Sequence, residues 1–210
     1  MKNFDSLFKD VFSTSKINIG IEDKSFEILK SFGSIRFKIE FRGPHGSDKI
    51  KVDITKGEII LFPVERKPVF NIYSDFEEEQ KIVIKAYSLK EVLIEKMVAL
   101  MGRRIPRDLY DFYYLTEKEN MELEEVYTEF MRKAENKEHN PRDFLAKVKS
   151  KETSLKMDWE KILSGQMRKG ELPPFNEVWR KASVNFKKLM KLIEKLSWIG
   201  ENKLRNLAKG

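Results

Sequence analysis

Apolar residues fall at helical spacing in the first stretch of the chain. Phe4, Leu7, Phe8, Val11 and Phe12 predict a short amphipathic helix from Asn3 to Phe12. The period then changes to two. Ile17, Ile19 and Ile21 alternate with polar residues over Lys16–Glu22, which reads as a strand, while 27–32 fits neither template. The clearest alternation runs over Ser34–Arg42. Ile35, Phe37, Ile39 and Phe41 point one way, and Arg36, Lys38, Glu40 and Arg42 the other. The Gly- and Pro-rich stretch 43–48 predicts a turn, and Lys49–Thr55 a return strand with Ile50, Val52 and Ile54 inward. Further short strands are expected over Glu58–Phe62 and Lys81–Tyr87, with an acidic linker from Ser74 to Gln80 before the second.

From Leu89 onward the period is helical. Leu89–Arg103 predicts a helix apolar on nearly all sides and therefore buried. Ser88 is its expected N-cap, with Glu91 completing a capping box. Gly102 ends it, and Pro106 fits the first turn of the next helix. Apolar spacing predicts further helices over Leu123–Ala134, Pro141–Val148, Trp159–Ser164, Phe175–Lys181 and Phe186–Leu196. Trp159, Trp179 and Trp198 read as core or inter-helix residues. Strands followed by helices imply an α+β fold, with a boundary near 117–120 separating an α+β part, 1–117, from a helical part, 118–210.

Composition narrows the chemistry. The chain of 210 residues has no cysteine and two histidines, so neither a disulfide framework nor a Cys/His zinc site is expected. Any metal would sit on carboxylates, which suits magnesium or manganese. No apolar run approaches membrane-spanning length and no signal-peptide pattern is present, so a cytoplasmic location without membrane contact is expected. Richness in Lys, Glu and Ile fits a thermophilic source. Of the net charge of +7, +6 lies in residues 181–210. That tail suits nucleic acid or an acidic partner, and equally a solvated helix face.

Two groups of charged residues are chemically suggestive. Lys96 and Arg103 are seven apart on an apolar helix, so both need an anionic partner. Arg107, Asp108 and Asp111 open the following helix. One reading makes Asp108 a complement to the helix N-terminus and Arg107–Asp111 a structural ion pair. The other makes the five residues, at one helix–helix corner, a phosphate or nucleotide contact. In the hairpin, Asp53 is unusual as a mid-strand aspartate, with Lys51 on the same face. It is either a site residue or half of a cross-strand ion pair with the preceding strand.

The segment SLKEVLIEKMVALMGRRIPRDLYDFYYL, with Glu95, Lys96, Arg103, Arg107, Asp108 and Asp111 in order, resembles the hallmark motif of the AbiEii/AbiGii toxin family. KIKVDIT, at 49–55, resembles its second motif. The family belongs to the polymerase-beta-like nucleotidyltransferases. The resemblance implies a partial nucleotidyltransferase-like mixed or antiparallel sheet with packed helices, followed by a helical domain. It implies transfer of a nucleotide from an NTP to RNA or protein, with magnesium as cofactor and an antitoxin as partner; some members act on transfer RNA ends. Asp53 would be the third metal-holding carboxylate and a catalytic residue. Lys96 and Asp108 would be catalytic or phosphate-positioning, and Lys51, Arg103, Arg107 and Asp111 would help bind the nucleotide. The family's Asp-x-Asp pair has no counterpart in the first half of this chain. Met1 is thus expected to fall after it, through a late start, a truncation or divergence with loss of catalysis. A sheet lacking that first strand would expose an edge and an apolar face, for which a homodimer is the expected cover. The alternative function is a non-catalytic module with a degenerate nucleotidyltransferase fold that binds a nucleotide, nucleic acid or partner protein.

Overall fold

The computed structural model describes the backbone of residues 2–29, 34–43, 46–55, 57–69 and 83–207, and side chains over most of these. The acidic linker 74–80, the end of the ambiguous stretch 27–32 and the side chain of Trp198 lie outside the described residues. The chain divides into two compact units, 1–58 and 59–210. The turn at 117–120, expected from sequence as a boundary, falls inside the second unit.

In the first unit, helix α1 (Lys2–Ser15) packs on strand β1 (Asn18–Ile21). Lys16, at φ 58°, ends the helix by donating its N–H to the Phe12 carbonyl at 2.9 Å. Strand β2 is Glu27–Leu29, β3 is Ser34–Gly43 and β4 is Gly46–Ile54. β3 is central. β4 flanks one side, while β1 and β2 share the other, all antiparallel. The expected turn over 43–48 is shorter than read, because the strands continue to Gly43 and resume at Gly46.

The alternation in the sequence becomes two faces. On one, Ile35 faces Ile54, Phe37 faces Val52 and Ile39 faces Ile50. Phe37 is buried and stacks against Phe26 with ring centroids 6.2 Å apart. Ile50 and Ile54 nevertheless remain 52% and 45% exposed, so the inward reading of β4 is met in register but not in burial. On the other face, Arg36 faces Asp53 and Glu40 faces Lys49. Lys49 bonds Glu40 at 2.9 Å and Glu22 at 2.5 Å, and these two carboxylates raise its pKa.

The second unit opens with a two-stranded antiparallel ribbon, β5 (Glu65–Pro68) and β6 (Val83–Ala86). Residues 58–62, expected as a strand, form none. The N–H groups of Leu61 and Phe62 instead donate to Glu91 Oε2 at 3.0 and 2.9 Å, so a side chain replaces a strand partner. Helix α2 (Leu89–Gly102) buries Leu93, Ile94, Met97, Val98, Leu100 and Met101. Its expected capping box is half formed. Ser88 Oγ accepts from Glu91 N–H at 3.2 Å, but the Glu91 carboxylate is committed elsewhere.

Helix α3 is Pro106–Glu117, α4 is Tyr127–Asn136, α5 is Phe144–Lys149 and α6 is Glu152–Leu163, with single 3-10 turns before α4 and α5 and after α6. The last two expected helices are one, α7 (Phe175–Leu207), whose buried residues Phe175, Val178, Ala182, Phe186, Leu189 and Ile193 make a single stripe. α2 packs on α3, α4 and α5, and α7 crosses the same three helices. Trp159 is buried in α6 and its Nε1–H donates to the Pro173 carbonyl at 3.0 Å, tying down the approach to α7. Trp179 stacks on Phe175. The α+β class read from sequence is the class of the fold.

Candidate functional site

The corner between α2 and α3 brings together four of the charged residues singled out by sequence. Lys96 lies on α2 and Arg103 is its C-cap residue, with its N–H on the Ala99 carbonyl. Asp108 falls in the first turn of α3, a helix whose N-cap residue, Ile105, makes no side-chain cap bond. A carboxylate there meets the positive end of the helix dipole. Asp108 is fully buried, and Arg103 grips it with two prongs, Nε to Oδ2 at 2.7 Å and Nη2 to Oδ1 at 2.9 Å. Lys96 Nζ lies 3.4 Å from the same carboxylate and 2.5 Å from Asp111 Oδ2. The hydrogen bond to Asp108 raises the Arg103 pKa.

The anionic partners that the sequence required for Lys96 and Arg103 are therefore in the chain itself. The expected Arg107–Asp111 pair is not formed. Asp111 pairs with Lys96, and Arg107 is exposed and has no ion pair among the described residues. The corner thus holds a buried carboxylate clamped by a half-exposed guanidinium, with Arg107 unengaged beside it. Arg103 spends Nε and Nη2 on Asp108, which leaves Nη1 for another acceptor.

Replacing Asp108 with asparagine removes the charge but keeps the shape, and turns an amide N–H₂ or a neutral oxygen toward Arg103. The expected loss is about 2 kcal/mol, the range of a charged hydrogen bond, since Arg103 can still reach water. Urea unfolding of the variant checks it; a change within ~0.5 kcal/mol would mean the clamp contributes nothing to stability.

Lys51 and Asp53 lie on the first unit. Asp53 accepts from Arg36 Nε at 2.6 Å, directly across the ladder, which is the cross-strand pair foreseen as one of its two readings. The Arg36 bond, and to a smaller extent the Lys51 charge, lower the Asp53 pKa. Lys51 is exposed and makes no ion pair among the described residues. Two magnesium ions need several converging carboxylates. Among the described residues no three acidic or histidine side chains are grouped to hold a metal, and the carboxylate of Asp53 is flanked by cations. The described residues therefore do not fit a two-metal centre.

Sequence reasoning missed a second charged cluster on α2. Lys133 of α4 is fully buried and bonds both Glu91 and Glu95, and it donates to the Ile59 carbonyl at 2.8 Å. Burial alone would lower its pKa, but the two carboxylates outweigh burial and raise it. Glu95 precedes Lys96, so this cluster anchors the stretch of α2 that carries the corner. A signal was present: Lys133 sits on the apolar stripe of Val126, Phe130 and Ala134, where a lysine needs a buried partner.

Among the described residues, no helix is long and apolar enough to cross a membrane. Neither a curated protein nor a solved structure matches the chain. The model of one family, described as nucleotidyl transferase AbiEii toxin of type IV toxin–antitoxin systems, matches residues 2–181. That is most of the chain, and it agrees with the resemblance carried by Glu95, Lys96, Arg103, Arg107, Asp108 and Asp111: the protein belongs to the AbiEii nucleotidyl transferase toxin family.

Proposed function

We propose that this nucleotidyltransferase-like toxin binds the phosphates of an NTP at the α2–α3 corner. The observation that carries the reading is the unengaged, exposed Arg107 beside the clamp of Arg103 and Asp108. A triphosphate would take Arg107 and the free Nη1 of Arg103, and would compete with Asp111 for Lys96. Asp108 would hold both cations in place, as a positioning acid. Magnesium would enter with the nucleotide. The acceptor would be RNA, with a transfer RNA end as the form suggested by the resemblance, or a protein. The basic segment 181–210 suits a polyanion and would make RNA binding salt-dependent. A toxin of a toxin–antitoxin family implies an antitoxin, and we place the protein in the cytoplasm.

A second reading rests on a specific observation. Asp53 is bonded to Arg36 and sits beside Lys51, surroundings that favour a counter-ion role over metal binding. On that reading the chain binds a nucleotide, nucleic acid or partner without transferring anything.

Incubation with each radiolabelled NTP, magnesium and total RNA separates the two. Label moved to RNA or protein establishes transfer. Nucleotide bound without transfer establishes the non-catalytic reading. Absence of nucleotide and RNA binding removes the phosphate reading and leaves the corner a structural ion network. Arg107→Ala is expected to weaken nucleotide binding about tenfold, equivalent to ~1.4 kcal/mol, with an unchanged melting temperature because Arg107 is exposed and makes no ion pair among the described residues.

A further inference from the structure

The outer strand of the hairpin has, among the described residues, an edge with no strand beside it. Among the described residues β4 pairs with β3 alone, so its far side presents unpaired main-chain groups. Lys38, which stands opposite Lys51, turns its N–H to Ser25 Oγ and its C=O to the Glu22 N–H, away from β4, so alternation along the ladder directs the N–H and C=O groups of Lys49, Lys51 and Asp53 away from β3. The Lys49 N–H agrees: it donates to the side chain of Asp48, at 2.7 Å. That bond closes the edge at Lys49 and leaves it open from Lys51 onward.

We propose that two copies of this chain pair through this edge, antiparallel, about a two-fold axis at Val52. The sequence of β4 is complementary to itself in that register. Lys51 faces the partner's Asp53, and Asp53 the partner's Lys51. On the opposite face Ile50 meets the partner's Ile54, and Val52 meets the partner's Val52. Directly opposed residues in an antiparallel pair share a face, so the charged and apolar sets stay separate. Each contact answers a need visible in the single chain. Ile50 and Ile54 are 52% and 45% exposed. Lys51 stands opposite Lys38, which bonds Glu22, and makes no ion pair among the described residues. The Asp53 carboxylate accepts from Arg36 on one side and can accept from a second cation. An axis at Lys51 instead would set the two Lys51 residues against each other and Asp48 against Ile54. The pairing is an isologous contact, closed by its own symmetry. It is independent of the nucleotide reading, because it depends only on the hairpin.

The chain has no cysteine, so one introduced thiol reports alone. In the proposed register the two copies of residue 52 form a non-hydrogen-bonded pair with Cα atoms about 4.5 Å apart, within disulfide reach. The two copies of residue 51 lie farther apart than the ~7 Å limit. The full-length chain is expected to sediment as a dimer at micromolar concentration. Val52→Cys is expected to cross-link quantitatively on mild oxidation, and Lys51→Cys to stay uncross-linked. Lys51→Glu faces Lys38 within its own hairpin, so the fold is retained by circular dichroism. The same change opposes the partner's Asp53 twice, and should raise the dimer dissociation constant at least tenfold. A chain that is monomeric at 100 µM (about a hundred times the working range of a stable dimer) overturns the proposal. So does a dimer indifferent to Lys51→Glu, or one that cross-links at position 51 and not at 52.

Discussion

Lys133→Met is expected to destabilise the protein by about 3–5 kcal/mol, the cost of breaking a buried ion cluster by removing one partner. Lys133 is the cation between Glu91 and Glu95, and Glu91 is itself fully buried. Without it, Glu91 keeps the N–H groups of Leu61 and Phe62 but has no opposite charge. The Ile59 carbonyl also loses its donor. Urea unfolding at neutral pH measures the effect. The wild-type contribution persists through neutral pH, because the raised Lys133 pKa means it is lost only on rising through the alkaline range. Combining Glu91→Gln with Lys133→Met should cost less than the two single changes added together. A loss under ~1 kcal/mol, the scale of an exposed ion pair, would show that the cluster is not the anchor described.

The second large effect is expected at Phe186. This side chain is fully buried, and its ring lies 5.0 Å from Phe112 of α3, 5.4 Å from Phe144 of α5 and 6.0 Å from Trp179 about two turns earlier in α7. Three helices share it. Phe186→Ala removes that shared contact and leaves a cavity, for a loss of about 3–5 kcal/mol. Phe186→Leu fills most of the space and should cost ~1.5 kcal/mol or less. Val184→Ala, two residues away but 64% exposed, serves as the control and should change stability by no more than ~0.5 kcal/mol. Denaturant unfolding of the three variants distinguishes a shared core from three independent contacts: equal losses at 184 and 186 would contradict the packing.

The hairpin was legible because its period of two runs through both strands, so that Arg36 and Asp53 meet across the ladder as one reading of Asp53 required. Helix α2 was legible for a related reason: a long apolar run between Ser88 and Gly102 has one way to be buried. The strand expected over 58–62 failed because short apolar runs do not declare their partner, and there the partner is a glutamate side chain thirty residues on. The break expected between 181 and 186 failed because no proline or glycine lies in that interval. Lys181, Ser183 and Asn185 interrupt the hydropathy but not the backbone. At the candidate site, which residues gather at the corner could be read from spacing. Who pairs with whom could not, because Asp111 had two cations within reach and took Lys96 from the neighbouring helix over Arg107 from its own.

The long terminal helix also bears on how the protein is made. Its stripe from Phe175 to Ile193 supplies one wall of the core that α3, α4 and α5 share. Synthesis runs from the N-terminus, so those three helices leave the ribosome with that wall missing. The second unit can close only once Ile193 has emerged. Until that stripe has been made, the nascent second unit holds its apolar faces open to whatever else will cover them.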